Sequence, residues 1–355
     1  MSQSTHTRRD VLKILSVAPL VASRGLSAEQ SVAPAVLPPK KTRLCLVSRH
    51  LQWTNMEEAV AVAAEAGCKA ISWTVRQGAH MLPENVERDL PKAVDLAHKA
   101  GLDTPMLITA LNEGKSARAE AVLATMRGVG IRYYRAAPFR YDYSSDLAQQ
   151  IEALKPRIGS LVRLNEKYGT TAMYHTHSAY GNIGGGVWDL WLAVKDFDPE
   201  FVGLNYDLGH ATIRGGTGWI ETSHIAHKFV HGLSVKDFRW VKNTSSPTAA
   251  TGRRGGDAAA DRAPRPPWVA EMVPGGEGMV DFHGMMSYFK SVGFGGPVEL
   301  YQEYYVTVPG VAEPVNMLGT DYGKWQLEMP KSNYIALLRR DVDFYTKALT
   351  ESGLL

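Results

Sequence analysis

Short apolar runs alternate with longer amphipathic stretches from residue 43 onward. The apolar runs predict eight strands, at 43–48, 70–75, 104–109, 132–137, 171–177, 202–208, 232–238 and 298–304. Helical periodicity predicts helices after them, at 55–66, 85–100, 116–127, 146–168, 187–196, 219–228, 283–292 and 332–350. Four of these helices are followed by a glycine that can take the left-handed C-cap conformation, namely Gly67, Gly101, Gly169 and Gly293. Eight consecutive βα units predict a single α/β domain with the (β/α)8 TIM-barrel fold.

A doubly wound open sheet is the alternative fold that this alternation allows. Such a sheet usually carries a glycine-rich phosphate-binding turn directly after its first strand. The residues that follow the first predicted strand contain no turn of that kind. The barrel is therefore the favoured fold.

One segment, 243–267, departs from the alternation of strands and helices. It is rich in Ala, Gly, Pro and Arg, and a segment of this composition cannot bury a core. It follows the seventh predicted strand, at the end of the barrel where catalytic residues are found in this fold. A disordered insertion is favoured over a lid that closes on the substrate.

The first 28 residues have the three parts of an export signal. A charged region with the pair Arg8 and Arg9 precedes a short apolar run, and small residues then lead to Ala28. Paired arginines are typical of signals that the twin-arginine export machinery reads. The apolar run is too short to span a bilayer, and no later run is long enough. We predict a cleavable signal peptide at 1–28, a linker at 29–41, and a barrel domain at 42–350 that is periplasmic or otherwise exported.

Composition and charge narrow the classes of function. With 45% hydrophobic and 21% charged residues the chain is an ordinary globular protein, and its two cysteines exclude a disulfide framework and a cysteine-based zinc site. The formal charge of +3 is carried by the predicted signal peptide, so the remaining chain is neutral. A neutral domain offers no basic surface for a polyanion, which makes nucleic acid an unfavourable partner.

Candidate metal ligands follow predicted strands five, six and eight, at ends that meet at one mouth of the barrel. By period-two alternation His175 and His177 lie on one face of strand five. Asp207 lies at the end of strand six and His210 lies just after it, and Glu303 is the last of the inward-facing residues at the end of strand eight. These nitrogen and oxygen donors suit Mn²⁺, Co²⁺, Zn²⁺ or Fe²⁺. Each residue alone also has a structural explanation, such as Asp207 capping the next helix.

Other residues at the same mouth are candidates for contact with a substrate. Lys236, at the end of strand seven, would hold a substrate oxyanion, or would simply pair with Asp237. Salt bridging and aromatic packing are the structural alternatives for the remaining candidates. These predicted substrate contacts are Arg76, His80, Arg135 and Trp240.

Four segments carry a resemblance to a known family. They are 174–178 (YHTHS), 206–216 (YDLGHATIRGG), 234–240 (SVKDFRW) and 273–282 (VPGGEGMVDF). The chain resembles the xylose-isomerase-like TIM barrels, the sugar phosphate isomerase/epimerase group, and is most similar to a branch with exported, twin-arginine members. The resemblance runs from about residue 43 to 305.

The resemblance implies one divalent metal ion at the barrel mouth. In better-known members a Glu, an Asp, a His and a second Glu hold the metal, and the two Glu residues move protons at adjacent sugar carbons. Asp207 matches that Asp, and His210 matches a His near the substrate. The place of the first Glu holds His175 or His177 here.

The chain departs from the family pattern on two further strands. Ser234 stands where the family has its metal-binding His. Tyr301 stands at the position of the second Glu, with Glu303 two residues later on the same face. A mechanism with two Glu bases therefore cannot be carried over intact.

We expect a metal-dependent isomerase or epimerase acting on a sugar or keto-sugar derivative, by removal of a proton next to a carbonyl. The expected ligands are His177, Asp207, His210 and Glu303, with His175 as the first alternate. His175 or Glu303 would be the general base, and Lys236 would stabilise the oxyanion.

Three alternative functions stay open. A keto-glycoside lyase or hydrolase would use the same barrel, and a non-catalytic barrel would bind an extracytoplasmic sugar without turnover. Cleavage of abasic DNA is disfavoured by the neutral domain and the export signal. The resemblance also leaves a homo-oligomer open, because relatives are often oligomeric.

Overall fold

A computed structural model describes residues 42–244, 266–319 and 325–355. Its strands are β1 (Arg43–Val47), β2 (Ile71–Val75), β3 (Met106–Thr109), β4 (Tyr133–Ala136), β5 (Thr171–His175), β6 (Val202–Asp207), β7 (Val230–Val235), β8 (Asp237–Lys242), β9 (Trp268–Val273), β10 (Pro297–Leu300), β11 (Tyr305–Val306) and β12 (Val315–Asn316). Its α-helices are α1 (Met56–Glu65), α2 (Val86–Lys99), α3 (Ala119–Gly128), α4 (Leu147–Tyr168), α5 (Trp188–Val194), α6 (Leu208–Gly215), α7 (Trp219–Ala226), α8 (Phe282–Ser291) and α9 (Lys331–Glu351). Short 3₁₀ helices lie at Ser48–Leu51, Pro83–Asn85, Gly216–Gly218 and His227–Phe229.

The predicted parallel barrel is confirmed. Its strands pair in the order β1-β10-β7-β6-β5-β4-β3-β2, and pairing of β1 with β2 closes the barrel. Amphipathic helices cover the outside, because their apolar residues recur at helical spacing. In α2, for example, Leu90, Ala93, Val94 and Ala97 are all buried.

The glycines that were predicted to end four helices all have positive φ. At Gly169, which follows α4, φ is 64° and the backbone N–H donates to Asn165 O. A residue with a Cβ would be strained in this conformation, whereas glycine adopts it freely. The other three, Gly67, Gly101 and Gly293, have φ between 75° and 88°.

The barrel strands end earlier than the sequence pattern predicts. The fifth ends at His175, the seventh at Val235 and the eighth at Leu300. The next residue after each of these ends, Thr176, Lys236 and Tyr301, is also buried, which is why the sequence pattern predicts longer strands. The sequence also did not predict α6, the β8–β9 hairpin or the β11–β12 pair. The α6 helix begins directly at the end of β6, where Asp207 caps it.

The interior of the barrel changes from apolar to polar toward the carboxyl ends of the strands. An apolar cluster of Cys45, Ala70, Met106, Tyr133 and Met173 fills one level. Further along the strands, the inward positions hold charged and hydrogen-bonding side chains that are fully buried. Burying such groups is costly unless they satisfy one another, so this end of the barrel marks a candidate functional site.

Several predicted segments lie outside the described residues. These are the signal peptide (1–28), the linker (29–41) and most of the 243–267 insertion, of which 245–265 are not described. The insertion falls between the paired strands β8 and β9. Within the described ranges, no helix is long and apolar enough to cross a membrane.

Asp237, the first residue of β8, connects the start of the β8–β9 hairpin with the loop that follows β9. Its carboxylate accepts hydrogen bonds of 2.9–3.2 Å from the backbone N–H groups of Phe238, Gly276, Gly278 and Val280. Asp237 therefore organises the loop after β9, whereas its neighbour Lys236 pairs with other carboxylates. The Lys236–Asp237 ion pair considered from the sequence is not the arrangement found.

Replacing Asp237 with Ala should destabilise the domain by about 2–3 kcal/mol, because four backbone donors lose their acceptor. Chemical unfolding of the purified variant measures this change. Asp343→Ala, on the exposed face of α9, is the matched control and should change stability by less than about 0.5 kcal/mol. Equal effects of the two substitutions would contradict the assignment.

Candidate metal centre at the barrel mouth

Three donor side chains converge where β5 and β6 end. His175 is the last residue of β5, and Asp207 is the last residue of β6. Asp207 also caps α6: its Oδ1 accepts the backbone N–H of His210 at 2.8 Å, which places His210 one helical turn further on. All three side chains are buried, with exposed fractions of 7% or less.

The donor atoms of this cluster are close enough to bind one ion. His175 Nε2 lies 3.5 Å from Asp207 Oδ2, and His210 Nε2 lies 4.0 Å from the same oxygen. The candidate ligand atoms of the three residues are all within 4.8 Å of one another. Asp207 Oδ2 is buried and accepts no well-aligned hydrogen bond from a described residue. Two imidazoles and a carboxylate are donors that suit zinc and related divalent ions, so the cluster could bind a metal.

The hydrogen bonds below the cluster determine the tautomer of His175. Asn205 Nδ2 donates to Glu299 Oε2 at 2.9 Å, which turns the amide oxygen of Asn205 toward the imidazole. His175 Nδ1 lies 3.2 Å from that oxygen and must therefore carry the proton. The lone pair of Nε2 then faces Asp207, as a metal ligand requires.

The tautomers of the other two histidines differ from each other. Lys236 Nζ donates to His210 Nε2 at 2.9 Å, so Nδ1 of His210 carries the proton and donates to Ser178 Oγ at 2.8 Å. His177 Nδ1 instead accepts the backbone N–H of Ala179 at 3.0 Å. The structure thus brings His175 into the cluster, whereas the Nδ1 of His177 binds the backbone of the following loop.

Burial controls the protonation of the cluster. It holds the pKa of His175 and of His210 well below 6.5, and the positive charges of Lys236 and Arg135 act in the same direction. Burial raises the pKa of Asp207 from 3.8 to about 6, although Lys236 opposes the shift. Neutral imidazoles are the form that binds a metal.

Lys236 is the cation of the site. Its side chain is 2% exposed, and its Nζ lies 3.2 Å from Asp207 Oδ2 and 3.1 Å from Glu303 Oε2. The ammonium also stands 4.8 Å from the centre of the Tyr301 ring. Glu303 is the more accessible of its two carboxylate partners, with 17% of its side chain exposed.

A second charged pair lies next to the cluster inside the barrel. Arg135 Nη1 is 3.5 Å from Glu299 Oε2 and also donates to the hydroxyl of Tyr301. Ser234 Oγ lies 2.6 Å from Asn205 Oδ1 and 3.2 Å from Glu299 Oε2. Ser234 and Tyr301, two of the three positions at which the chain departs from the ligand pattern that the resemblance implied, therefore belong to a polar network that supports the cluster.

The other predicted substrate contacts lie around this mouth without joining the cluster. Arg76 Nε donates to Thr109 O at 2.8 Å, and His80 Nε2 lies 3.0 Å from Leu51 O. Trp240 lies on β8 with 41% of its surface exposed. Among the four predicted contacts, Arg135 is connected to the core of the site through Glu299 and Tyr301.

Comparison with known families identifies the fold family. A family model described as "Xylose isomerase-like TIM barrel" matches residues 60–314. The chain belongs to this family. No curated protein sequence matches it.

Solved structures agree with this xylose-isomerase-like barrel in fold. A structure of IOLI protein with a bound zinc atom is 14% identical over 87% of this chain and 99% of its own, with a TM-score of 0.58. D-allulose 3-epimerase from Methylomonas sp. is 16% identical over 88% and 100%, with a TM-score of 0.55. The 3-keto-D-glucoside 4-epimerase from E. coli is 13% identical over 86% and 100%, with a TM-score of 0.54. At such identities the likeness establishes the fold alone.

The supporting residues of this barrel escaped the sequence analysis. Asn205, Ser178 and Glu299 were not predicted to orient the histidines. Period-two alternation was a usable signal, because it places Asn205 on the same face as Asp207, and Glu299 on the same face as Tyr301. Which inward residues meet across the barrel depends on strand register, and the sequence pattern does not provide that register.

Substitution of the two strand-five histidines should separate their roles. We expect His175→Ala to weaken binding of Zn²⁺ or Co²⁺ by at least about 10-fold, because a donor atom of the cluster is lost. His177→Ala is the matched control and should leave the affinity within about 3-fold, because the Nδ1 of His177 accepts the backbone N–H of Ala179 and the neutral ring then carries its proton on Nε2. Titration calorimetry on metal-free protein measures both, and a larger loss in His177→Ala would contradict the assignment.

Replacing Asp207 with Asn should change the pH dependence of stability in the metal-free protein. Because the pKa of Asp207 is higher in the folded state than in the unfolded chain, its contribution is most favourable below about pH 4 and is lost as pH rises through about 6. The wild type should therefore lose about 3 kcal/mol relative to Asp207→Asn between about pH 4 and pH 7. Urea unfolding across this range tests the sign, and a constant difference between the proteins would refute it.

Proposed function

We propose that the chain is a metal-dependent enzyme of the isomerase or epimerase type that acts on a sugar or keto-sugar derivative. The observation that carries this proposal is the convergence of three buried donor atoms with Lys236 and the partly open carboxylate of Glu303. A cation-binding cluster beside an accessible base at the mouth of a barrel is suited to removing a proton next to a carbonyl.

His175, Asp207 and His210 would hold one divalent ion. The neutral imidazoles and the carboxylate suit Mn²⁺, Co²⁺, Zn²⁺ or Fe²⁺, and the zinc in the IOLI protein structure supports a metal on a barrel of this fold. When bound, such an ion polarises the substrate carbonyl and stabilises the negative charge that forms as the neighbouring proton leaves.

Glu303 would act as the general base. Of the three buried or partly buried carboxylates around Lys236, Asp207 and Glu299 are closed off, whereas Glu303 reaches solvent. Its Oε2 can accept a proton from a substrate that enters the mouth. Lys236, 3.1 Å from that oxygen, would donate a hydrogen bond to the oxygen anion of the substrate.

Because Glu303 is the one accessible carboxylate among Asp207, Glu299 and Glu303, the site also favours a second candidate function. Inversion at a sugar carbon by the family's two-Glu route needs a base on each face of the substrate. Isomerisation through an enediol needs one base, which removes a proton and returns it to the neighbouring carbon. Elimination from a keto-glycoside also needs one base, which removes a proton as the leaving group departs. The keto-glycoside lyase or hydrolase therefore remains the second candidate, supported by the position of Glu303 and by a His at the end of β5.

Export through the twin-arginine machinery is proposed from residues 1–28 and bears on the substrate class. Outside the cytoplasm, free sugars and oxidised glycosides are better candidates than sugar phosphates, which are mostly intracellular. Sugars acted on by the epimerases of the same fold support the class of substrate. The substrate panel should therefore contain ketoses, 3-keto-glycosides and keto acids derived from sugars.

Hydrogen exchange is the most direct test of the reaction. Metal-loaded protein is incubated in D₂O with each member of the panel, and loss of the proton next to the carbonyl is followed by NMR. We expect exchange for at least one substrate and a loss of at least about 100-fold in Glu303→Gln, because the base is removed.

Glu313→Gln, at an exposed position, is the matched control and should exchange at the wild-type rate. Exchange that survives in Glu303→Gln would remove Glu303 from the role of base. Sugar binding without exchange or product, with metal bound, would favour the non-catalytic sugar-binding barrel.

A further inference from the structure

The ammonium of Lys236 occupies the position from which a cation would contact the cluster. Its Nζ lies 2.9 Å from His210 Nε2 and 3.2 Å from Asp207 Oδ2, which are two of the three candidate ligand atoms. The side chain is almost completely buried, so this contact is part of the interior and not a chance surface pair. The cluster therefore already contains a cation supplied by the chain.

We propose that Lys236 and a divalent metal are alternative occupants of this site, so that the metal binds only when Lys236 leaves Asp207 and His210. The inference rests on the metal centre of the proposed function and adds to it the residue that sets metal affinity. Lys236 thus holds Asp207 and His210 in position in the metal-free protein, and it competes with the metal ion for these two residues.

Geometry and charge make the two occupants incompatible. Metal bonds to imidazole nitrogen and carboxylate oxygen are about 2 Å long, so an ion bound to both atoms would lie within about 5 Å of the present position of Nζ. Two positive charges at this separation repel strongly in a buried site, where little water screens them. In addition, His210 Nε2 has one lone pair, which cannot bind the ammonium and a metal at once.

The contact between Lys236 and Glu303 indicates the direction in which the lysine side chain can move. Glu303 Oε2 is already 3.1 Å from Nζ, and Glu303 is more exposed than Asp207. By keeping this contact while releasing the other two, the ammonium would turn toward the mouth. This movement brings the charge of Lys236 to the side from which a substrate enters, where it can bind a substrate oxygen.

The same contact explains how the buried cluster is tolerated without a metal. A buried carboxylate without a counter-charge is strongly destabilising, and Lys236 is the cation within hydrogen-bond distance of Asp207 Oδ2 among the described residues. Removing the lysine should therefore weaken the metal-free fold but open the cluster to metal. These two effects have opposite signs, which distinguishes competition from a general loss of structure.

The test compares wild type with Lys236→Met and Lys236→Arg in the full chain. Metal-free proteins are titrated with Zn²⁺ and Co²⁺ by calorimetry, and their unfolding temperatures are measured with and without metal. We expect Lys236→Met to bind at least about 10-fold more tightly than wild type and to unfold at a lower temperature when metal-free. Lys236→Arg, which keeps the charge, should bind no more tightly than wild type.

Lys236→Gln, neutral but polar, is the second variant if Lys236→Met does not fold, and it should also bind more tightly. Unchanged or weaker affinity in both neutral variants would overturn the competition and leave the metal centre intact. Absence of binding in every protein would overturn the metal centre as well. Tighter binding in Lys236→Met, together with no hydrogen exchange by the metal-loaded wild type on any sugar, would leave the competition standing and reject the proposed reaction.

Discussion

The structure depends on the burial of one carboxylate, Asp207, at the mouth of a closed barrel. Closing eight strands removes water from this position, and a charge there needs compensation from cations or hydrogen-bond donors. Lys236 provides a counter-charge, and the backbone of α6 provides a donor through the N–H of His210. The positions of Lys236 and His210 follow from the need to compensate the buried charge of Asp207.

The residues around Asp207 have two different roles: some orient the histidines, and others are placed to react with a substrate. The Asn205–Glu299 hydrogen bond, itself supported by Arg135 and Ser234, turns the amide so that His175 presents Nε2 to the cluster. The cluster and Lys236 are buried, whereas Glu303 keeps contact with solvent. This gradient from a rigid interior to an accessible base suits proton abstraction from a small polar substrate.

The sequence pattern predicted the barrel well, because apolar strands buried on both faces and amphipathic helices leave distinct periodic signals. It also placed His175, Asp207, His210 and Lys236 at one mouth, since carboxyl ends of parallel strands meet there. From the sequence, His177 was the expected ligand and His175, on the same face, was the first alternate, whereas the cluster in the structure contains His175. Which of the two rings joins the cluster depends on Asn205 below one ring and the Ala179 N–H beside the other, contacts set by register and loop conformation.

Anomalous diffraction from crystals of the full chain soaked in Zn²⁺ tests the central claim most directly. The account predicts one peak bonded to His175 Nε2, Asp207 Oδ2 and His210 Nε2, with the ammonium of Lys236 withdrawn toward Glu303. A crystal with no peak at these atoms, or with Lys236 still between Asp207 and His210 beside a bound ion, would contradict it.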